Sequence, residues 1–184
     1  MSLTSCSYDK LMYRAQRAKV KTSPLEQVTL DEMVERYMGK ETSSIGTIEG
    51  IYSVSSVVTK KGKTVFSARE KEKVTDRREN YSKVAIIRDN SEAGREYIEI
   101  VVDKTHVTAY PVYGEFSTMN ESNLLLYKHY DSKARSTSFT FTYDKSKDVL
   151  EGIRTETSGN HTVTYSLTYV KISPKQTTVQ SAAR

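Results

Sequence analysis

His161-Thr-Val-Thr-Tyr-Ser-Leu-Thr-Tyr-Val-Lys-Ile172 is the stretch that decides how this chain folds. Val163, Tyr165, Leu167 and Tyr169 fall on one side of an extended backbone, and Thr162, Thr164, Ser166 and Thr168 fall on the other. A two-residue period of this kind marks a strand with one buried and one solvated face. The same rhythm runs back through Phe139, Phe141 and Tyr143, which alternate with Ser138, Thr140 and Thr142. Segments near 48–59, 63–75, 81–89, 95–103, 105–112, 114–118, 123–130, 136–144, 148–156 and 161–172 read as strands. Turn signals at Lys61-Gly-Lys63, Asp89-Asn90, Tyr143-Asp-Lys-Ser-Lys147 and Ser158-Gly-Asn160 separate them. Many short strands in series predict an all-β, antiparallel up-and-down barrel of about eight to ten strands. Val84-Ala-Ile-Ile87 and Ile98-Glu-Ile-Val-Val102 are the most apolar runs and the expected centre of the sheet. Pro111 belongs at a strand end or an edge, because it has no amide hydrogen.

Upstream, Thr29 and Glu32 form a capping box, followed by the apolar stripe Leu30, Met33, Val34, Tyr37 and Met38 and a stop at Gly39. Leu11, Ala15 and Ala18 place a second helix, or a basic arm, over 7–22. One or two N-terminal helices should therefore precede the barrel. The organisation expected is an arm and helix over 1–47, a barrel domain over 48–173 and a polar tail over 174–184.

Composition narrows the class. The 184 residues are 36 % hydrophobic, low for a globular chain but suited to a thin β-structure with polar outer faces. Thirteen Tyr and no Trp make an interior that is amphipathic at its edges. The net charge of +5 is concentrated at Lys60, Lys61, Lys63, Arg69, Lys71, Lys73, Arg77 and Arg78, diluted by Glu70, Glu72 and Asp76. These read as the solvated face of a hairpin guarding an edge. Nucleic acid is disfavoured as a partner, since Phe66 is the only base-stacking ring in that stretch.

Catalytic signatures are missing. His106, His129 and His161 have no partner at metal-ligand spacing, and no phosphate-cradling loop or nucleophile elbow occurs. No enzyme activity, metal or cofactor is expected. Glu99 is the acid to inspect first, because it interrupts an apolar strand on the side of Tyr97 and Val101; if that side faces outward it is merely solvated.

Thr47-Ile-Glu-Gly-Ile-Tyr-Ser-Val54, following a helix and opening a strand meander, resembles the calycin group, that is, lipocalins and lipocalin-like bacterial barrels. Gly50, Ile51 and Tyr52 stand where that group has Gly-x-Trp, with tyrosine replacing tryptophan. The context is similar to secreted or lipid-anchored proteins of Bacteroidetes-type bacteria. The resemblance implies a non-enzymatic binding protein for a small apolar or amphipathic ligand, with an interaction or structural module having a filled barrel as the alternative. Expected inward, ligand-facing residues are Tyr52, Val54, Ile86, Phe139, Phe141, Tyr143, Tyr165, Leu167 and Tyr169. Leu3-Thr-Ser-Cys6 resembles a lipobox, which makes Cys6 the expected lipidation site and the bacterial cell envelope the expected address. Partners are then the membrane surface, a small hydrophobic ligand and an unidentified protein.

Overall fold

The computed structural model describes residues 25–32, 48–63, 70–89, 95–103, 109–119, 123–131 and 135–173. Nine strands are described: β1 (Gln27–Thr29), β2 (Gly50–Lys63), β3 (Glu70–Arg88), β4 (Tyr97–Val101), β5 (Ala109–Thr118), β6 (Leu124–Tyr130), β7 (Ser136–Asp144), β8 (Val149–Ser158) and β9 (His161–Ser173). Strands β2 to β9 pair antiparallel with their sequence neighbours, and β9 returns to pair with β2. The result is a closed eight-stranded up-and-down barrel, which leaves no edge along its wall.

Alternation is visible in the burial of β7, where Phe139, Phe141 and Tyr143 are buried and their neighbours are largely solvated. The interior cluster joins Tyr52, Ile86, Phe116, Tyr127, Phe141, Leu150 and Tyr169. Its centre is aromatic: Phe116 stacks on Tyr127 at 4.4 Å, and Phe141 meets both Tyr127 and Tyr169 edge-on at 5.3 Å. A second apolar cluster lies on the outside of the wall, where Ala85, Ile87, Ile98, Ile100 and Val112 surround Val28 of β1. The two most apolar runs are thus buried on both faces, which explains why they lack alternation.

Strand β1 adds to the outside of the wall through Gln27–Pro111 to Thr29–Ala109, so Pro111 lies in the short ladder that holds the N-terminal segment. Arg95 reinforces this attachment by bridging Glu26 at 2.7 Å and the buried Asp89. This strand was not expected. Only residues 30–32 are helical among those described, so the anticipated N-terminal helices are not supported beyond one short turn; the rest of 7–22 and of the stripe to Gly39 lies outside the described residues. The capping box itself is formed. The Thr29 amide donates to Glu32 Oε2 at 2.8 Å, and the Glu32 amide donates to Thr29 Oγ1 at 3.2 Å.

Three strand boundaries also differ. Lys61-Gly-Lys63 continues β2 instead of turning. The segments placed at 63–75 and 81–89 fuse into the single bent β3. Opposite Ser55, the three residues Glu79, Asn80 and Tyr81 replace one, and Thr75 is a further bulged residue. Asn80 takes the left-handed conformation (φ 47°), with its amide donating to Ser55 Oγ and its side-chain oxygen accepting from Ser53 Oγ. The run 105–112 and 114–118 likewise becomes one β5, with Tyr113 as its extra residue.

Past these bulges, β3, β2, β9 and β8 continue beyond the wall as a twisted ribbon, ending in the tight turn at Gly159 and Asn160. The charged residues of 70–79 lie along its β3 margin, exposed and mixed in sign. Ion pairs Lys61–Glu70, Arg77–Glu79 and Arg78–Asp76 neutralise them locally.

Candidate functional site

The two ends of the barrel interior differ. One end is plugged. Gly50 has φ +152°, and a Cβ there would press on the Lys171 stem and the Ser173 carbonyl. Lys171, only 6 % exposed, lies with its Nζ 5.7 Å from the Tyr52 ring centre and 5.9 Å from that of Tyr143, and 3.7 Å from Asp148 Oδ1. Tyr143 donates to the same carboxylate oxygen at 2.9 Å, and Tyr52 donates to the Ile48 carbonyl at 2.7 Å. Burial lowers the Lys171 pKa while Asp148 opposes that effect. Lys171, Tyr143 and Tyr52 thus each have a polar partner at this end, which suits a structural plug.

The other end holds a cavity of about 240 Å³. Successive strands contribute one level of side chains to it: Val54 from β2, Val84 from β3, Glu99 and Val101 from β4, Tyr127 and His129 from β6, Phe139 from β7, and Leu167 and Tyr169 from β9. Tyr113, released by the β5 bulge, and Tyr81, released by the β3 bulge, stand at its rim. Tyr81 is 48 % exposed, so the cavity meets solvent there.

Glu99 is the polar centre of this level. It points inward and is 4 % exposed, not solvated. Its ladder partner is Gly114, where a Cβ would overlap the Tyr127 ring; the glycine lets that ring lie against the wall. Tyr169 donates to Glu99 Oε2 at 3.0 Å. Tyr127 and His129 Nδ1 share a hydrogen bond across 3.0 Å. Desolvation pushes the Glu99 carboxyl up to about 7, against the opposing effect of hydrogen bonds from Tyr127 and Tyr169. Burial lowers the His129 pKa, with Asp131 acting the other way. The site therefore presents a buried carboxyl group whose charge changes near neutral pH.

The structure brings Val54, Phe139, Leu167 and Tyr169 together at the cavity. Tyr52, Ile86, Phe141 and Tyr143 are inside the barrel but fill its centre and plugged end. Tyr165 stands farther out, packed against the core at the root of the ribbon, where it donates to Glu156 at 3.2 Å beneath Arg154. Cys6 and His106 lie outside the described residues, and His161 sits at the ribbon turn. Sequence reasoning missed Tyr127, Tyr81 and Tyr113. Tyr127 follows three leucines, of which only Leu125 faces in, and the other two depend on bulges that shift the alternation. Among the described residues no cluster of His, Cys, Asp and Glu could hold a metal ion. Compared with known proteins, the chain matches no family model, no curated protein and no solved structure.

Proposed function

We propose that this chain is a lipocalin-like binding protein, non-enzymatic, that takes a small amphipathic ligand into the His129 end of its barrel. The observation that carries this reading is a 240 Å³ space, apolar on its walls and ending on one buried carboxyl. An engineered apolar cavity of about 150 Å³ is large enough for benzene. A single substituted ring or a short chain thus matches the volume, whereas a bulky lipid does not. The aromatic centre supports a short, one-ended site, because it leaves no through-channel for a longer ligand. Native mass spectrometry with a panel of ring-sized amphipathic compounds tests this. A one-to-one adduct is expected, lost when Val101→Phe fills the space without lowering the melting temperature. Absence of any adduct would leave a plain scaffold.

The same proposal keeps Cys6 as the point of lipid attachment to a bacterial envelope membrane. Detergent-phase partitioning of the protein expressed behind a bacterial lipoprotein signal peptide should disappear in Cys6→Ser. A second reading, a module that docks a protein, draws on the ribbon: β3 over 70–82 and β8 over 154–158 have no second strand partner among the described residues.

A further inference from the structure

We propose that the cavity recognises a small protonated amine carried on an apolar ring or chain, with its ammonium group set against Glu99. This deepens the reading of a ligand cavity and rests on it. The lining holds one carboxyl group and no Lys or Arg. An acidic ligand entering head-first would meet Glu99 with no cation to offset it, and burial keeps His129 toward its neutral form. An ionised carboxylate offers about four lone-pair sites. Tyr169 supplies one donor, which leaves acceptor capacity for N–H groups brought from outside. The wall around it is built of five rings, Tyr81, Tyr113, Tyr127, Phe139 and Tyr169. Ring faces attract a desolvated cation through their negative quadrupole. A neutral or anionic head gains nothing comparable.

The groups around Glu99 are Tyr81 and, beyond it, Arg78 on β3, Tyr113 on β5, Tyr127 and His129 on β6, and Tyr169 on β9. None of them supplies a positive charge that acts on Glu99. An arriving ammonium would be its first counter-charge, so binding should release the Glu99 proton. Affinity for the amine then rises with pH across the neutral range, as long as the amine itself stays protonated.

The test uses three near-isosteric probes, 2-phenylethylamine, 2-phenylethanol and phenylacetate, titrated calorimetrically at pH 6 and pH 8. The amine should bind at least about tenfold tighter than the other two at pH 8, the advantage of one charge-assisted contact. Its affinity should fall at pH 6, and heats in buffers of different ionisation enthalpy should report proton release. In Glu99→Gln the amine should drop to the level of the alcohol while the alcohol is unchanged. If the alcohol or the acid binds as well as the amine, the cation proposal is overturned and the cavity reading survives. If none of the three binds, both fall. Should Glu99→Gln misfold, the order of the three probes and the pH trend on the unmodified protein still decide.

Discussion

Glu99 makes stability depend on pH in an unusual direction for a carboxyl group. Its pKa is raised from 4.5 to about 7 in the folded protein, so between those values the native state holds more protons than the unfolded chain. Stability contributed by this group is then complete below about pH 4.5 and is lost as pH rises toward 7. One pKa unit corresponds to about 1.36 kcal/mol, which sets the loss at about 3 kcal/mol in the empty protein. Urea melts at several pH values should show the decline, and Glu99→Gln should remove it and be the more stable protein at pH 8. Gly114 carries the adjacent prediction. Gly114→Ala forces a methyl into the Tyr127 ring and should cost about 1–3 kcal/mol, with Tyr127 displaced from His129. At this scale the sequence was partly readable: Glu99 stood out as an acid in an apolar run, but the side it faces follows from register, and register is set by bulges. A bulge needs only one or two extra residues and has no fixed composition, so Tyr81 and Tyr113 left no signal.

Strands were legible where one face is wet and the other dry, as in β7 and in β9 from Tyr169 onward; the earlier part of β9, read from the sequence as alternating, is half-buried at every residue from 162 to 168. Where β3 and β4 lie between two apolar clusters they carry no alternation, and there they were legible as the apolar runs 84–87 and 98–102. The capping box of Thr29 and Glu32 was legible because it is a local device, independent of the rest of the fold. Strand β1 was not, since three residues paired to the outside of β5 have no period of their own. The bend in β3 turns on Asn80. A branched side chain is poorly tolerated in the left-handed region, by about 1–2 kcal/mol. Asn80→Val should therefore lower stability by about 2 kcal/mol, including the lost bond from Ser53, whereas Asn80→Gly should cost about 1 kcal/mol. Chemical denaturation of the two variants compares them directly.

At the scale of the molecule, closure depends on the last strand. Strand β9 pairs with β8 and with β2, from Ile51–Ser173 to Gly62–His161, and supplies Tyr169 and Lys171 to the two ends of the interior. A chain ending after Asn160 loses both ladders and should show no cooperative thermal transition, with strong binding of a hydrophobic dye. Contacts across so long a loop also place refolding in the millisecond-to-second range typical of β-topologies, which stopped-flow fluorescence of the tyrosines can follow. The up-and-down order was readable from turn spacing, but the seam was not, since nothing local in β2 or β9 names its distant mate. That seam has a consequence for biosynthesis. On a translating ribosome the first barrel strand emerges more than a hundred residues before the strand that completes it. Throughout that interval β2 exposes an open border from Ile51 to Gly62, where Lys60 and Lys61 are the charges that guard it against neighbouring nascent chains.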